Sequence, residues 1–249
     1  MQISGPDGQA LREELSVMKE KVSFSGAKVL ELGCGAAVRT QQIAEQTDVA
    51  SIIAAEVDLA AHEKNLAKSI EKVEFHSFAA QEIPLEPGSI DVVIMLKSLH
   101  HVPRQLMIRS LEEIHRVLRR GGLAYLSEPV FQGELNEVIR LFHDEEAVRK
   151  FAFDAIAKSI DLGLFNLAEE YFYLNPVFMS DFDQFRKAIM DATYQDHEAD
   201  EDLVGLVRAR FESYKSDDRE APYYFETPNR VDLLKKLYRY RIRVARLTN

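Results

Sequence analysis

The sequence is short of cysteine and of the local patterns that hold metal ions. Cys34 is the only cysteine among the 249 residues, so an intramolecular disulfide or a cysteine-based metal cluster cannot form. The sequence has neither a His-x-x-x-His motif nor a cysteine pair with zinc spacing, and we therefore predict no metal. The scarcity of cysteine fits a reducing compartment, and we expect a cytoplasmic protein.

Basic residues and long apolar runs are also scarce. The chain has 31 lysines and arginines against 41 acidic residues, a formal net charge of −10 at pH 7. This balance argues against a nucleic-acid partner, because such binding relies on many basic side chains. The main apolar run, Val92 to Leu96, is too short to cross a bilayer. The segment Met1 to Leu11 lacks both a basic start and an apolar run, so we expect no signal peptide and a soluble protein.

Short apolar runs alternate with helical patterns between residues 28 and 127. This alternation is typical of an α/β fold whose mostly parallel, doubly wound sheet is covered on both faces. Gly121 and Gly122 are expected to end the last helix of the alternation. The predicted strands are Lys28–Leu32, Ile52–Val57, Val73–His76, Ile90–Leu96 and Leu123–Ser127, and the predicted helices are Gln9–Val22, Val38–Gln46, Ala60–Ile70 and Arg104–Leu118.

After Pro129 the patterns become longer and more helical. Glu134–Ile160 and Phe182–Thr193 indicate an added helical region. The aromatic runs Tyr171–Leu174 and Tyr223–Phe225 predict two further strands at the edge of the sheet, which gives seven strands in total. An aromatic sheet edge near Tyr223 also leaves a homodimer open.

Two charged stretches stand out in this half. The acidic residues between Asp191 and Asp202 are expected to form a solvated loop. The basic residues between Lys235 and Arg246 are expected to form a solvated terminal helix or tail, with contact to RNA, to an acidic partner or to the acidic stretch as alternatives.

A turn containing two glycines follows the first predicted strand. Gly33 and Gly35 flank Cys34, and glycine both adopts backbone angles that other residues avoid and lets a ligand approach the main chain. The helix after the turn offers unpaired amide groups to polar ligand atoms. The turn therefore favours a nucleoside cofactor, although it can also simply connect a strand to a helix.

An acidic side chain ends the second predicted strand about 20 residues later. A carboxylate at this place can accept hydrogen bonds from both hydroxyls of a ribose. We favour Glu56 for the ribose and Asp58 as the cap of the next helix. A capping role for Glu56 is the alternative.

Five motifs in this order resemble those of class I S-adenosylmethionine-dependent methyltransferases. The resemblance is strongest to the small-molecule type related to the ubiquinone and menaquinone C-methyltransferases, and it covers barely half of the chain. It implies a Rossmann-like methyltransferase fold, S-adenosyl-L-methionine as cofactor, and methyl transfer to an O, N or C nucleophile of a small organic molecule. The motifs are Glu31–Gly35, Glu56, Ala80–Val93, Leu99–Val102 and Glu112–Gly122.

The resemblance also implies a set of cofactor contacts. Glu31 would face the amino group of the methionine part, which Gly33 and Gly35 also line. The remaining cofactor positions are Cys34 in the turn, Glu56 at the ribose, Val57 on the adenine face, Ala80 and Gln81 at the adenine edge, and Lys97 after the fourth strand. Apart from the resemblance, Arg39 could meet the cofactor carboxylate or a substrate acid, with an exposed helix arginine as the alternative. Ala79 departs from the family pattern, because an aspartate usually bonds the adenine amino group at this position.

Histidine and glutamate side chains are the candidates for catalysis. Methyl transfer from a sulfonium is an in-line displacement that depends mainly on positioning, and histidine suits removal of a proton from the acceptor. His101, and after it His100, are the candidates because they follow the fourth strand; a structural role for this pair is the alternative. Glu128 follows the next strand and could bind an acceptor amine or hydroxyl.

The expected organisation is one globular unit. Residues 1–130 form the cofactor-binding core with its amino-terminal helix, and residues 131–249 form a substrate-binding elaboration with the last strands. Tyr171, Tyr173 and Phe178 either wall an aromatic acceptor pocket or belong to the core. Two other functions stay open: a non-catalytic binding or regulatory protein, favoured by Ala79, and an NAD-dependent dehydrogenase, which would need a glycine where Val38 stands.

Overall fold

The computed structural model describes residues 1–191, 201–216 and 221–237. These residues contain a seven-stranded sheet in the order β3-β2-β1-β4-β5-β7-β6. β1 to β5 run parallel to one another, whereas β7 pairs antiparallel with both β5 and β6. The predicted α/β fold with a mostly parallel seven-stranded sheet is therefore confirmed. The strands are β1 (Lys28–Leu32), β2 (Ser51–Ala55), β3 (Val73–His76), β4 (Ile90–Leu96), β5 (Leu118–Pro129), β6 (Phe165–Met179) and β7 (Tyr223–Lys236).

Helices cover both faces of the sheet. Consecutive side chains of a strand point to opposite faces; Val29 of β1 accordingly packs in one hydrophobic cluster and Leu30 in another. This two-sided burial explains why the central strands are continuous apolar runs. The helices are α1 (Glu14–Lys21), α2 (Val38–Gln46), α3 (Leu59–Leu66), α4 (Met107–Val117), α5 (Glu134–Ile139), α6 (Glu146–Asp161), α7 (Phe182–Phe185) and α8 (Glu201–Glu212).

Several predicted boundaries are wrong by a few residues for local reasons. β2 ends at Ala55 rather than Val57, because the Glu56 carboxylate accepts hydrogen bonds from the next two amides and turns the chain. The first helix begins at Glu14 rather than Gln9, because Leu11 forms a β-bridge with Leu174. α3 ends at Leu66, four residues before the predicted end.

The prediction that the glycine pair ends a helix is wrong. α4 ends at Val117, and Gly121 and Gly122 lie inside β5. Leu118 pairs with Ile90 of β4 but Leu123 pairs with Val92, so β5 carries extra residues opposite its neighbour. A Cβ on Gly122 would lie 3.0 Å from two backbone oxygens. The glycines therefore accommodate an irregularity in the sheet.

The carboxy-terminal half extends the same sheet. The two aromatic strands are confirmed, with β6 at the edge and β7 between β5 and β6. The helical pattern over Glu134–Ile160 forms two helices, α5 and α6, and Phe182–Thr193 forms α7 followed by a π-helical turn, Arg186–Met190. α5, α7, the π-helical turn and α8 share an aromatic cluster with β7, whereas α6 packs in the cluster that contains Leu30.

The two charged stretches lie only partly within the described residues. Glu201 and Asp202 begin α8 instead of lying in a loop, and Lys235 and Lys236 belong to β7 instead of a terminal helix or tail. Residues 192–200 and 238–249, with the other charges of both stretches except Asp191, lie outside the described residues. Across the described part of the chain, none of the helices has the length and apolar character needed to span a bilayer.

Candidate active site

A cavity of about 1070 Å³ opens at the carboxyl ends of the parallel strands. Loops after β1, β2, β3, β4 and β5 form one side of it, and residues from the carboxy-terminal half form the other. Ligands of open α/β sheets bind at this edge. All ten predicted cofactor positions and two of the predicted catalytic residues line the cavity, namely Glu31, Gly33, Cys34, Gly35, Arg39, Glu56, Val57, Ala80, Gln81, Lys97, His100 and His101.

The glycine turn after β1 forms the floor of the cavity. Gly33 has φ +73°, and a Cβ there would lie 2.7 Å from Cβ of Ser98. The amide of Gly33 donates to the carbonyl of Ala55 at 2.9 Å, which fixes the turn against β2. Gly35 has φ +53° and no protein atom near its missing side chain. A side chain thus has no room at Gly33, whereas the space beside Gly35 is open. A ligand can therefore lie against the main chain of the turn.

Of the two acids at the end of β2, Asp58 has the expected capping role, and the ribose contact of Glu56 stays a prediction. Asp58 caps α3 by accepting hydrogen bonds from the amides of Ala60 and Ala61 at 2.8 and 3.1 Å. Glu56 Oε2 accepts from the amide of Gly35 at 2.7 Å, and Oε1 accepts from Val57 and Asp58. A carboxylate offers about four acceptor positions, so Glu56 retains capacity for a ribose hydroxyl while it ties two loops together.

Glu31 is a buried carboxyl group at the same edge. Its side chain is only 2% exposed, and Oε2 accepts a hydrogen bond from Thr40 Oγ1 at 2.6 Å. Burial raises the pKa of Glu31 to about 7, despite this hydrogen bond. A cationic ligand group next to Glu31 would favour its ionised form.

Glu14 is a site residue that sequence reasoning missed. It projects from α1, is buried, and lies 2.6 Å from the Lys97 ammonium. Tyr125 and Ser127 also donate to it, at 2.9 and 3.2 Å. Burial opposes ionisation of Glu14, but the charge of Lys97 and the hydrogen bonds to the carboxylate together outweigh it and lower the pKa. The ion pair connects α1 to the edge of the sheet and directs the Lys97 side chain towards α1. In the sequence, Glu14 is one charge of an amphipathic helix and gives no signal of this contact.

The positions predicted to contact the adenine, Val57, Ala80 and Gln81, all line the cavity. Val57 is 60% exposed and offers an apolar surface. Ala79, Ala80 and Gln81 lie on the cavity wall, and the Ala79 methyl group offers no hydrogen bond. The open glycine turn, the acceptor capacity of Glu56 and the buried Glu31 together fit an adenosyl amino-acid cofactor.

His100 is held between two carboxylates. It is 4% exposed; Nδ1 contacts Glu128 Oε2, and Nε2 lies 3.6 Å from Glu145 Oε1. Burial alone would lower the pKa of His100, but the two carboxylates raise it to about 9. Glu128 also accepts from the Leu99 amide at 2.9 Å and is not among the cavity-lining residues. Glu128 therefore holds the ring of His100 without lining the cavity itself.

His101 lies beside His100 and lines the cavity. The two ring centroids are 4.1 Å apart. Desolvation lowers the pKa of His101 to about 4, and the neighbouring charge of His100 contributes to the shift. His101 therefore presents an uncharged imidazole to the cavity near pH 7.

The segment between α5 and α6 adds a cluster that sequence reasoning also missed. Glu145 Oε1 lies 2.9 Å from His143 Nε2, and Oε2 lies 2.6 Å from Arg149 Nη2. Arg149 also donates to Asn136 Oδ1 at 2.9 Å. All four side chains line the cavity. Their link to His100 comes from folding, because more than 40 residues separate the two segments in the sequence.

The predicted aromatic wall is not part of the cavity. Tyr173 is fully buried in the core and stacks on Tyr171, with ring centroids 6.2 Å apart. Phe178 is 53% exposed and packs against Tyr224. None of these residues lines the cavity; its apolar wall on this side comes instead from residues such as Leu135, Ile139 and Val177.

The sheet order and the position of the cavity define a class I methyltransferase fold. Solved structures share it: the YcgJ protein from Bacillus subtilis gives a TM-score of 0.61 at 16% identity, covering 90% of this chain and 97% of that one. The [4+2]-cyclase SpnF gives 0.58 at 16% identity, covering 94% and 85%. At such low identity these similarities concern the fold alone.

Sequence comparison identifies the domain more narrowly. Residues 29–122 match the protein family described as methyltransferase domain. The ubiquinone biosynthesis O-methyltransferase of Pseudomonas aeruginosa (strain UCBPP-PA14) is 31% identical over 110 residues, 43% of this chain and 47% of that protein. The corresponding enzyme of Pseudomonas entomophila (strain L48) matches to the same extent. The chain thus matches about half the length of these relatives.

These findings confirm the predicted class of protein. The chain carries a class I S-adenosylmethionine-dependent methyltransferase domain, and the cofactor of this class is S-adenosyl-L-methionine. The matched residues contain the glycine turn, Glu56 and the histidine pair, but they end before Glu128 and the carboxy-terminal half of the cavity.

Proposed function

We propose that the chain transfers the methyl group of S-adenosyl-L-methionine to an oxygen atom of a small, largely apolar organic molecule. The observation that carries the proposal is the single cavity, which joins the cofactor positions to a second wall built by the carboxy-terminal half. Its volume of about 1070 Å³ is at the upper end of the range for small-molecule sites. That size suits a cofactor and an acceptor together.

The core supplies the cofactor contacts. Glu31 holds the amino group, the turn at Gly33 and Gly35 lies against the amino-acid part, and Glu56 accepts from the ribose. Val57 and Gln81 bracket the adenine. Bound S-adenosyl-L-methionine supplies an activated methyl group, so the protein mainly has to hold the acceptor in line with it.

The carboxy-terminal half supplies the acceptor contacts. Leu135, Ile139 and Val177 provide an apolar surface, and Asn136 and Arg149 are polar groups beside it. An acceptor with an apolar ring or chain and a hydroxyl group matches this mixture. The proposal assigns residues 131–249 to acceptor binding, within one globular unit with residues 1–130.

The histidine pair is assigned to the acceptor hydroxyl. His101 lies on the cavity wall and can hydrogen-bond a hydroxyl group, while His100 and Glu128 hold it in place from behind. Relatives named O-methyltransferases favour oxygen over nitrogen or carbon as the nucleophile. The Glu128 contacts favour a positioning role over direct contact with the acceptor.

A product assay with a blocked acceptor wall tests the proposal. The full chain is incubated with S-adenosyl-L-methionine and a panel of phenols, catechols, amines and carbon acids, and products are identified by mass spectrometry and NMR. We expect O-methyl products. Ile139→Trp should abolish turnover while it leaves S-adenosylhomocysteine binding unchanged, because Ile139 lies on the acceptor wall. Leu206→Trp, at a position 56% exposed, is the matched control and should remain active.

The same assay separates the other functions. Cofactor binding without methylation of any acceptor would favour a binding or regulatory protein, for which Ala79 gives a reason. The family match favours a methyltransferase over a dehydrogenase. A thermal melt in which NAD, and not S-adenosylhomocysteine, raises the midpoint would reverse that preference.

A further inference from the structure

Three potential metal ligands converge on the acceptor side of the cavity. One ligand atom from each of His100, His101 and Glu145 lies within 4.8 Å of the others. The histidines belong to the turn after β4, and Glu145 precedes α6. We propose that these three side chains bind a divalent transition metal, for which zinc is the best match.

The ligand types select the class of metal. Two imidazoles and one carboxylate form a common ligand set of catalytic zinc sites, which leave a further position open. Magnesium and calcium prefer oxygen ligands. Zn–N and Zn–O bonds of about 2.0–2.2 Å in a tetrahedron place ligand atoms about 3.4 Å apart. His100 Nε2 and Glu145 Oε1 are already 3.6 Å apart, so small side-chain rotations would close the set.

The surroundings of His100 match those of a metal-binding histidine. Such a residue usually directs its second ring nitrogen at a carboxylate, which fixes the orientation of the ring. Nδ1 of His100 contacts Glu128, and Glu128 is itself fixed by the Leu99 amide at 2.9 Å. Nε2 therefore faces Glu145 and the cavity.

Arg149 and His143 also contact the Glu145 carboxylate. The guanidinium of Arg149 engages Glu145 Oε2, so Oε1 is the oxygen on the histidine side. His143 Nε2, 2.9 Å from Oε1, would move to hydrogen-bond the bound carboxylate or become a fourth ligand.

The proposed site explains why local spacing in the sequence predicted no metal. The ligands come from positions 100, 101 and 145, so no short motif contains them. The cluster is on the same cavity as the cofactor turn. In this arrangement the metal, rather than the His101 ring itself, would face an acceptor hydroxyl and polarise it; only this role rests on the proposed function.

Cobalt binding to the full chain tests the site without requiring turnover. Protein without a histidine tag is stripped with a chelator and titrated with Co²⁺, whose visible absorption reports a site with fewer than six ligands, and Zn²⁺ is then added as competitor. We expect one Co²⁺ per chain, displaced by one Zn²⁺. His101→Ala and Glu145→Gln should abolish the absorption band, and Glu128→Gln should weaken binding about 10- to 100-fold.

The matched control is the exposed pair of His76 and Glu74. Its nitrogen and oxygen lie 3.6 Å apart, the same separation as in the proposed site, but it has no second histidine. His76→Ala should leave the titration unchanged. The thermal shift with S-adenosylhomocysteine verifies that each variant is folded. Absence of a saturable band, or a band that survives both His101→Ala and Glu145→Gln, would overturn the site. If the protein methylates oxygen but binds no Co²⁺ in this titration, the metal site is refuted and the proposed function stands.

Discussion

Cofactor binding should depend on pH through Glu31. In the free protein this carboxyl group is buried and its pKa is raised to about 7. If it pairs with the cofactor ammonium, the ligand binds the ionised carboxylate, and protons compete with the ligand below pH 7. The affinity for S-adenosylhomocysteine should therefore fall as the pH is lowered.

The size of the effect follows from the titration of one group. At pH 5, about one Glu31 side chain in 100 is ionised if the pKa is about 7. The dissociation constant should then be about 100-fold above its plateau, or ~2.7 kcal/mol. Above about pH 8 the cofactor amine loses its own charge, so the affinity should be highest between about pH 7 and 8.

Calorimetry with two ligands measures this dependence. S-adenosylhomocysteine is titrated into the protein between pH 5 and 8.5. The control ligand is 5′-methylthioadenosine, which lacks the amino and carboxyl groups of the amino-acid part. The control affinity should stay nearly constant. Glu31→Gln should bind S-adenosylhomocysteine weakly and without the change between pH 5 and 7. If both ligands show the same slope, or if the variant retains the wild-type profile, Glu31 does not pair with the amine.

Three further predictions concern single substitutions. Glu31→Gln should stabilise the unliganded protein by up to about 3 kcal/mol at pH 8 and by little at pH 4. The reason is that the raised pKa of Glu31 makes the folded wild-type protein lose stability as the pH rises from 4.5 to about 7. Chemical denaturation at both pH values measures this difference, and equal effects at the two pH values would contradict it. Gly33→Ala should destabilise the protein more than Gly88→Ala, by roughly 1–3 kcal/mol. Both residues have φ +73°, but only at Gly33 would the added Cβ lie 2.7 Å from a neighbouring side-chain atom. Equal losses in urea denaturation would show that backbone strain alone matters. Ala79→Asp should tighten S-adenosylhomocysteine about 2- to 10-fold by adding a hydrogen bond to the adenine amino group and should not tighten the inosine analogue; calorimetry with both ligands decides.

The sequence was sufficient for the core because its signals are local. Continuous apolar strands, the turn at Gly33 and Gly35, and the acid at Glu56 each depend on a few neighbouring residues. The glycine pair at Gly121 and Gly122 shows the limit of such reasoning: glycine follows many helices, but here it serves a sheet irregularity that depends on pairing with β4. That pairing cannot be read from the segment itself.

The acceptor side of the cavity depends on contacts between distant segments. Glu14 reaches Lys97 across 83 residues, and Glu145 approaches His100 across 45. Neither glutamate has a local pattern that distinguishes it from the other acidic residues of amphipathic helices and loops. For Tyr171 and Tyr173 the pattern left a pocket wall and a buried strand open, and the structure places both residues at the core.

The division between the two halves has a physical consequence for specificity. The proposed cofactor contacts lie on loops fixed by parallel strands that are buried on both faces, whereas the proposed acceptor wall lies on short helices and on β6 at the edge of the sheet. Substitutions on that wall can change the acceptor without disturbing the cofactor turn. His100 connects the two halves, because it follows β4, contacts Glu128 near the end of β5 and lies 3.6 Å from Glu145. We therefore expect acceptor selectivity to change through residues such as Ile139 and Val177, and changes at His100 or Glu128 to impair every acceptor alike.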